Sequence, residues 1–225
     1  MRAIAGICLL TVLLSSRLAQ AQPPTVVELF QSQGCSSCPP AIRNVNALAD
    51  RSDTLVLMFA VTYWDRLGWK DTFARPEFTR RQYDYGRMLR TGAYTPEVVI
   101  NGRADLVGID GGELTKAVAK AAPLPGPAIQ VTDNMISVGV AGISGAADVW
   151  LVRYDSGPLN VDIGAGENSG VMIAHRNVVR SLSKLGSWRG AAARYPVPAS
   201  ADPRLKSAVL IQGENGGAIL SAARL

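Results

Sequence analysis

Residues 54–61, Thr-Leu-Val-Leu-Met-Phe-Ala-Val, form an unbroken apolar run, and it constrains the fold more than any other feature. A strand with no polar face belongs at the centre of a sheet that is covered on both sides. Upstream, Val26-Val27-Glu28-Leu29-Phe30 reads as a second, largely buried strand, and Gln31-Ser32-Gln33-Gly34 as a turn. A helix is expected to start near Cys35, with Ala41, Val45 and Leu48 at helical spacing and Arg43, Asn44 and Asn46 on other faces. Pro39 and Pro40 sit near its start, where missing N–H groups cost least. Strand, helix and strand make a βαβ unit, which places Cys35-Ser36-Ser37-Cys38 at the carboxyl end of the first strand.

The segment after this unit has a different character. Residues 62–93 are aromatic-rich at Tyr63-Trp64-Asp65 and Gly68-Trp69, then helical from Pro76 to Leu89, with Phe78, Gln82, Tyr85 and Leu89 along one side. We read them as a helical insertion. Thr95-Pro96 leads a strand into Asn101-Gly102, the strongest short hairpin signal, and Arg103 to Val107 forms its partner. Asp110 and Glu113 make a capping-box-like start for a helix whose buried stripe is Leu114, Ala117, Val118 and Ala121. Pro123, Pro125 and Pro127 end it as a linker. From Ala128 onward the pattern is β: Ile136, Val138 and Val140 alternate, as do Val149, Leu151 and Arg153 against Trp150, Val152 and Tyr154. Val171 to Leu182 is a long strand, and Asn215-Gly216 joins two more. The expected class is α/β, with a first domain over 22–124 (insertion about 62–93) and a β-rich, sandwich-like module over 128–225.

Residues 1–21 have the form of a signal peptide. Arg2 precedes the short apolar run Ile4–Leu14, and Ala19-Gln20-Ala21 is a small-x-small cleavage pattern before Gln22. The run falls short of the roughly 20 residues a membrane span needs, so the expected location is secreted or periplasmic, with no stable membrane span after processing. Loss of Arg2 and Arg17 with the leader lowers the net charge from +5 to +3. That mild excess contains no basic block of the kind nucleic acid binds.

Removing the leader also removes Cys8 and leaves Cys35 and Cys38 as the two remaining thiols. In an oxidising compartment they can pair. A disulfide closing four residues stabilises by only about 2 kcal/mol, against roughly 3 for a 15-residue loop, so chemistry is the more natural use of the pair. A thiolate at a helix start is stabilised by free N–H groups and the helix dipole. Cys35 is therefore the candidate nucleophile and Cys38 the resolving thiol. A C-x-x-C is also half of many zinc sites, but there is no second such pair, and His175, the one histidine, lies far along the chain. No metal and no cofactor is expected. His175 keeps register with Val171, Ile173 and Val179, which suits a hydrogen-bonded core histidine.

The order of strand, C-x-x-C, helix, central strand and Thr-Pro-led hairpin resembles the thioredoxin superfamily over about residues 25–122. That resemblance implies that Pro96 is a cis-proline facing the cysteines and that Thr95 contacts a substrate peptide. Departures are Gln33-Gly34 in place of the usual tryptophan before the first cysteine, and Ser36-Ser37 between the two. The motifs Gln33-Gly34-Cys35-Ser36-Ser37-Cys38-Pro39-Pro40, Tyr63-Trp64-Asp65, Gly68-Trp69-Lys70-Asp71 and Tyr94-Thr95-Pro96 are similar to those of one secreted bacterial family, domain of unknown function 1223. So are Gly166-Glu167-Asn168 and His175-Arg176-Asn177-Val178-Val179.

Sites in open α/β sheets form beyond the carboxyl ends of strands, which puts Tyr63, Trp64 and Asp65 on the rim with Cys35. Tyr63 and Trp64 are candidates for a substrate groove and Asp65 for tuning the thiols. Trp64 and Trp69 would equally serve to pack the insertion on the sheet. The expected function is thiol–disulfide exchange with a protein partner. The alternative is a secreted, non-catalytic binding protein with a structural disulfide, and copper delivery is a third reading.

Overall fold

The computed structural model describes residues 22–225; the expected leader lies outside the described residues. The predicted βαβ unit is present as β1 (Thr25–Gln31), α1 (Cys38–Asn46) and β2 (Thr54–Ala60), with β1 and β2 parallel and in register from Thr25↔Thr54 to Gln31↔Ala60. Every residue of β2 is buried, because helices cover it on both sides. One side carries α1 and α3 (Gly111–Lys120), whose Ala41, Ile42, Val45, Leu114 and Val118 meet Val27, Leu29, Val56 and Met58. The other carries α2 (Pro76–Leu89), whose Phe78 and Tyr85 meet Val26, Phe30, Leu57 and Phe59. Each large side chain buried this way contributes about 1.5–3 kcal/mol. The helical segment within 62–93 thus seals the second face of the sheet.

The expected hairpin follows as β3 (Glu97–Ile100) and β4 (Ala104–Leu106), turning at Asn101 and Gly102, both with positive φ. Asp110 caps α3 by accepting from the Gly112 and Glu113 amides.

The C-terminal half supplies β5 (Ile129–Thr132), β6 (Met135–Val138), β7 (Ala147–Asp155), β8 (Leu159–Asp162), β9 (Met172–His175), β10 (Val178–Trp188), β11 (Ala193–Pro196), β12 (Lys206–Gly213) and β13 (Ile219–Arg224). An eight-stranded mixed sheet runs β13-β12-β7-β10-β2-β1-β3-β4. It therefore crosses the boundary expected at 124–128: β10 lies beside β2, and the Met58 amide donates to Asn177 O. The proline-rich linker is stitched down as well, through Gly126 N to Leu220 O at 2.7 Å. A three-stranded sheet, β11-β6-β5, packs Ile136, Val138 and Tyr195 against Val149, Val209 and Ile211, giving a local sandwich at that end.

Two boundaries differ from expectation. The run Val171–Leu182 is broken at Asn177, which adopts φ 51°, and its parts join different sheets: β9 pairs with β8, β10 with β7. Helix α1 starts at Cys38 rather than near Cys35. Cys35 and Cys38 instead close successive i→i−3 turns, Cys35 N to Ser32 O and Cys38 N to Cys35 O, both 3.1 Å. Pro39 and Pro40 then follow Cys38 in the first helical turn.

Candidate functional site

Cys35 and Cys38 are joined in a disulfide with Cα atoms 5.4 Å apart, and both are fully buried while Ser36 and Ser37 between them are exposed. The late helix start changes what could stabilise a thiolate here. The Cys38 amide is spent on Cys35 O, and two prolines have no N–H to offer. Two hydroxyls reach the Cys35 sulfur instead. Ser37, in the N-cap position without making a capping bond, puts Oγ 3.3 Å from Cys35 Sγ. Thr95 Oγ1 donates to the same sulfur at 3.4 Å.

The Thr95-Pro96 peptide bond is cis. Thr95 is held by Trp64, whose Nε1 donates to Thr95 Oγ1 at 2.7 Å. Thr95 and Trp64 are therefore brought to Cys35 together, and Trp64 also packs on the hydrophobic clusters of both sheet faces. Tyr63 turns to the other side, stacking on Tyr83 at 6.4 Å. Asp65 does not hydrogen-bond to either sulfur; its Oδ1 accepts the Asp71 amide at 3.1 Å. The carboxylate engaged with the cysteine loop from this segment is Asp71. It is buried and accepts Gln33 N at 2.7 Å and Phe73 N at 2.8 Å. Burial pushes its pKa up to about 6, against those amide bonds. Gln33 is further gripped by Trp69 Nε1, donating to Gln33 Oε1 at 2.9 Å, and by Thr72.

The other grip comes from the distant loop between β8 and β9, which had no assigned role at the level of sequence. Glu167 Oε2 accepts both Ser36 N (3.0 Å) and Ser36 Oγ (2.7 Å), and these bonds hold its carboxyl below the usual range. Buried Asn168 donates Nδ2 to Gln33 O (2.8 Å) and Cys35 O (2.9 Å). Gly166 fits here because its φ is +76° and a Cβ would stand 3.3 Å from the Trp69 Cβ.

His175 is core. Its Nδ1 lies 3.2 Å from Ile173 O, its ring meets Phe73 edge-on, and burial lowers its pKa to about 4. Among the described residues no group of three His, Cys, Asp or Glu side chains could hold a metal ion, and no helix is long and apolar enough to cross a membrane.

Comparison with known proteins agrees with the motifs. The sequence pattern of the family described as "Protein of unknown function (DUF1223)" matches residues 26–212, and the chain belongs to that family. The crystal structure of protein AGR_C_4864 from Agrobacterium tumefaciens is similar to it, with 31% identity and a TM-score of 0.75, covering 92% of this chain and 96% of that one. HBP35 of Porphyromonas gingivalis shares the fold at a TM-score of 0.58 and 12% identity, over 92% of this chain and 76% of that one. A search of curated proteins returns no match.

Proposed function

We propose that the chain is an exported thioredoxin-like protein that exchanges disulfides with protein thiols, Cys35 attacking and Cys38 resolving. The observation that carries this reading is the pair of hydroxyls, Ser37 Oγ and Thr95 Oγ1, within 3.4 Å of Cys35 Sγ. A neutral disulfide sulfur is a weak acceptor. Two hydroxyls aimed at one sulfur are far more useful to a thiolate, the species that attacks disulfides. Trp64, Thr95 and Pro96 then border the partner's approach, with Trp64 acting through Thr95, while Tyr63, turned towards Tyr83, takes no part in it.

A second reading has its own support: both sulfurs are fully buried, as in a fixed structural disulfide beneath a binding surface. A Cys38→Ala variant, produced with its leader and purified from the exported fraction, separates the two. Exchange predicts mixed disulfides through Cys35 on a mature chain starting at Gln22. No trapped partner means the fixed-disulfide reading holds, and retention of residues 1–21 would sink export.

A further inference from the structure

Between the segment that leads into α2 and strand β10 lies a cavity of about 320 Å³ whose charge is one-sided. Lys70 and Arg75 line it from the segment and Arg180 from β10. Lys70 and Arg75 are exposed, and Arg180 is half-buried. Among the described residues, none of the three takes part in an ion pair. Asp202 feels the Arg180 charge, but its carboxylate is bridged by Arg204 Nε and Nη2 at 2.9 and 2.7 Å. Asp71 is the one acid in the wall, and both its oxygens are committed to amides, Oδ2 to Gln33 N and Oδ1 to Phe73 N. With Asp71 ionised, the wall still carries two net positive charges.

Arg180 gives this cavity a fixed donor. Its guanidinium lies over the Phe73 ring at 5.0 Å, and Phe73 is itself held edge-on against His175. Stacking occupies a face of the guanidinium and leaves its in-plane N–H fork for an acceptor. Yet Arg180 Nη1 is buried and has no hydrogen-bond partner among the described residues. Water in the cavity would serve that donor, but a neutral molecule does nothing for like charges gathered around one small space. Their repulsion is stronger beside the protein than in bulk water. An anion answers both needs, offering lone pairs to Nη1 and charge to the group. The backbone of the segment is already spent: Thr72 N goes to Gln33, Phe73 N to Asp71 and Arg75 N to Ala60 O. Recognition therefore falls to the side chains, on a wall that is stiff beforehand.

We propose that the cavity binds a small tetrahedral dianion, inorganic phosphate or a phosphate monoester, with Arg180 at its base and Lys70 and Arg75 closing from the rim. The guanidinium fork matches two oxygens of such an ion. Its two negative charges match the two net positive charges of the wall, which a carboxylate would only half answer. Asp71 and Thr72, in the same wall, hold Gln33, so the ion sits behind the cysteine loop without touching either sulfur. The site is independent of whether the cysteines exchange.

Calorimetric titration of inorganic phosphate into the purified protein, at fixed ionic strength with chloride as the balancing anion, reads the site directly. One equivalent should bind. Arg180→Met keeps an apolar chain over Phe73 and removes the charge and the fork, and it should weaken phosphate binding roughly tenfold or more. Lys70→Ala and Arg75→Ala should each weaken it less, because solvent and salt screen an exposed cation. Glycerol phosphate identifies the source of the ion. Tighter binding than phosphate marks an ester whose organic part leaves through the rim, weaker binding marks the free ion, and either result supports the site. Acetate should bind more weakly than both. Equal affinity for acetate overturns the proposal, as does phosphate binding that Arg180→Met leaves unchanged. No saturable binding of either phosphate ligand to the wild type is equally fatal. Should Arg180→Met fail to fold, the double variant Lys70→Ala with Arg75→Ala, altered at exposed side chains alone, takes its place, and wild-type phosphate affinity there sinks the site.

Discussion

Two carboxylates hold the cysteine loop from opposite ends of the chain, and they titrate in opposite directions. Asp71, from the segment between β2 and α2, takes Gln33 N below the surface, and burial raises its pKa. Glu167, from the β8–β9 loop, takes Ser36 N and Oγ in the open, and those bonds lower its pKa. The chemistry of the contact is the same, carboxylate to backbone amide, so the environment decides the sign: desolvation wins at Asp71 and hydrogen bonding at Glu167. The N-terminal half thus provides the sulfurs and a rigid floor, while the C-terminal half provides an exposed clasp over them.

That comparison supposes that the two halves form one body irrespective of either grip. Arg81 tests the supposition with the largest expected effect. Buried on α2, it donates Nε and Nη2 to Glu28 on β1 and Nη1 to Gln212 on β12, at 2.8, 3.1 and 2.9 Å. Arg81→Met strands the Glu28 carboxylate and should cost about 3–5 kcal/mol in urea unfolding. Adding Glu28→Gln should recover part of that loss. A change below 1 kcal/mol would mean that the halves are held together by apolar packing alone.

Asn168 separates floor from clasp at the next scale. Asn168→Ala removes the donor to both Gln33 O and Cys35 O, two buried acceptors, and should cost about 1–3 kcal/mol. Because the clasp covers Cys35, the variant should also speed reduction of the disulfide by a small thiol. Asp71→Asn, which retains an oxygen for Gln33 N, should leave that rate nearly unchanged. Equal acceleration in both variants would erase the distinction between floor and clasp.

The floor was largely legible in sequence and the clasp was not. β1, α1 and β2 follow from local periodicity, and the hairpin from Asn101-Gly102, because these signals lie within a few residues of the elements they specify. The start of α1 was displaced because prolines suit a first helical turn whether it begins at Cys35 or Cys38; the i→i−3 turns at both cysteines leave no pattern mark. Asn177 ended a strand through a left-handed backbone that apolar alternation conceals. Tyr63-Trp64-Asp65 pointed to the right segment, but nothing local shows that Asp65 turns to the Asp71 amide while Asp71 reaches Gln33. Glu167 and Asn168 meet the loop across more than 130 residues of chain. Gly166-Glu167-Asn168 stood out as a motif, yet no spacing rule joins it to Cys35.

The smallest effect is the pH dependence, where the two grips should diverge in sign. Asp71 has a folded pKa of about 6 against 3.8 for the free group. Its proton-linked contribution is complete below 3.8 and is lost as pH rises through 6, at about 1 kcal/mol per pH unit between pH 5 and 6. Glu167 is depressed below 4.5, so its contribution is present above 4.5 and disappears as pH falls through the folded pKa. Glu97 shares the sign of Asp71, so the informative quantity is the difference between each variant and wild type. For Asp71→Asn that difference should grow in the variant's favour from pH 4 to 6 and then level. For Glu167→Gln it should be constant above pH 5 and shrink in acid, with a smaller amplitude because the group is in open water. Unfolding curves from pH 3 to 8 measure both. Parallel differences for the two variants would show that the loop responds to net charge alone, and that burial does not set the floor apart from the clasp.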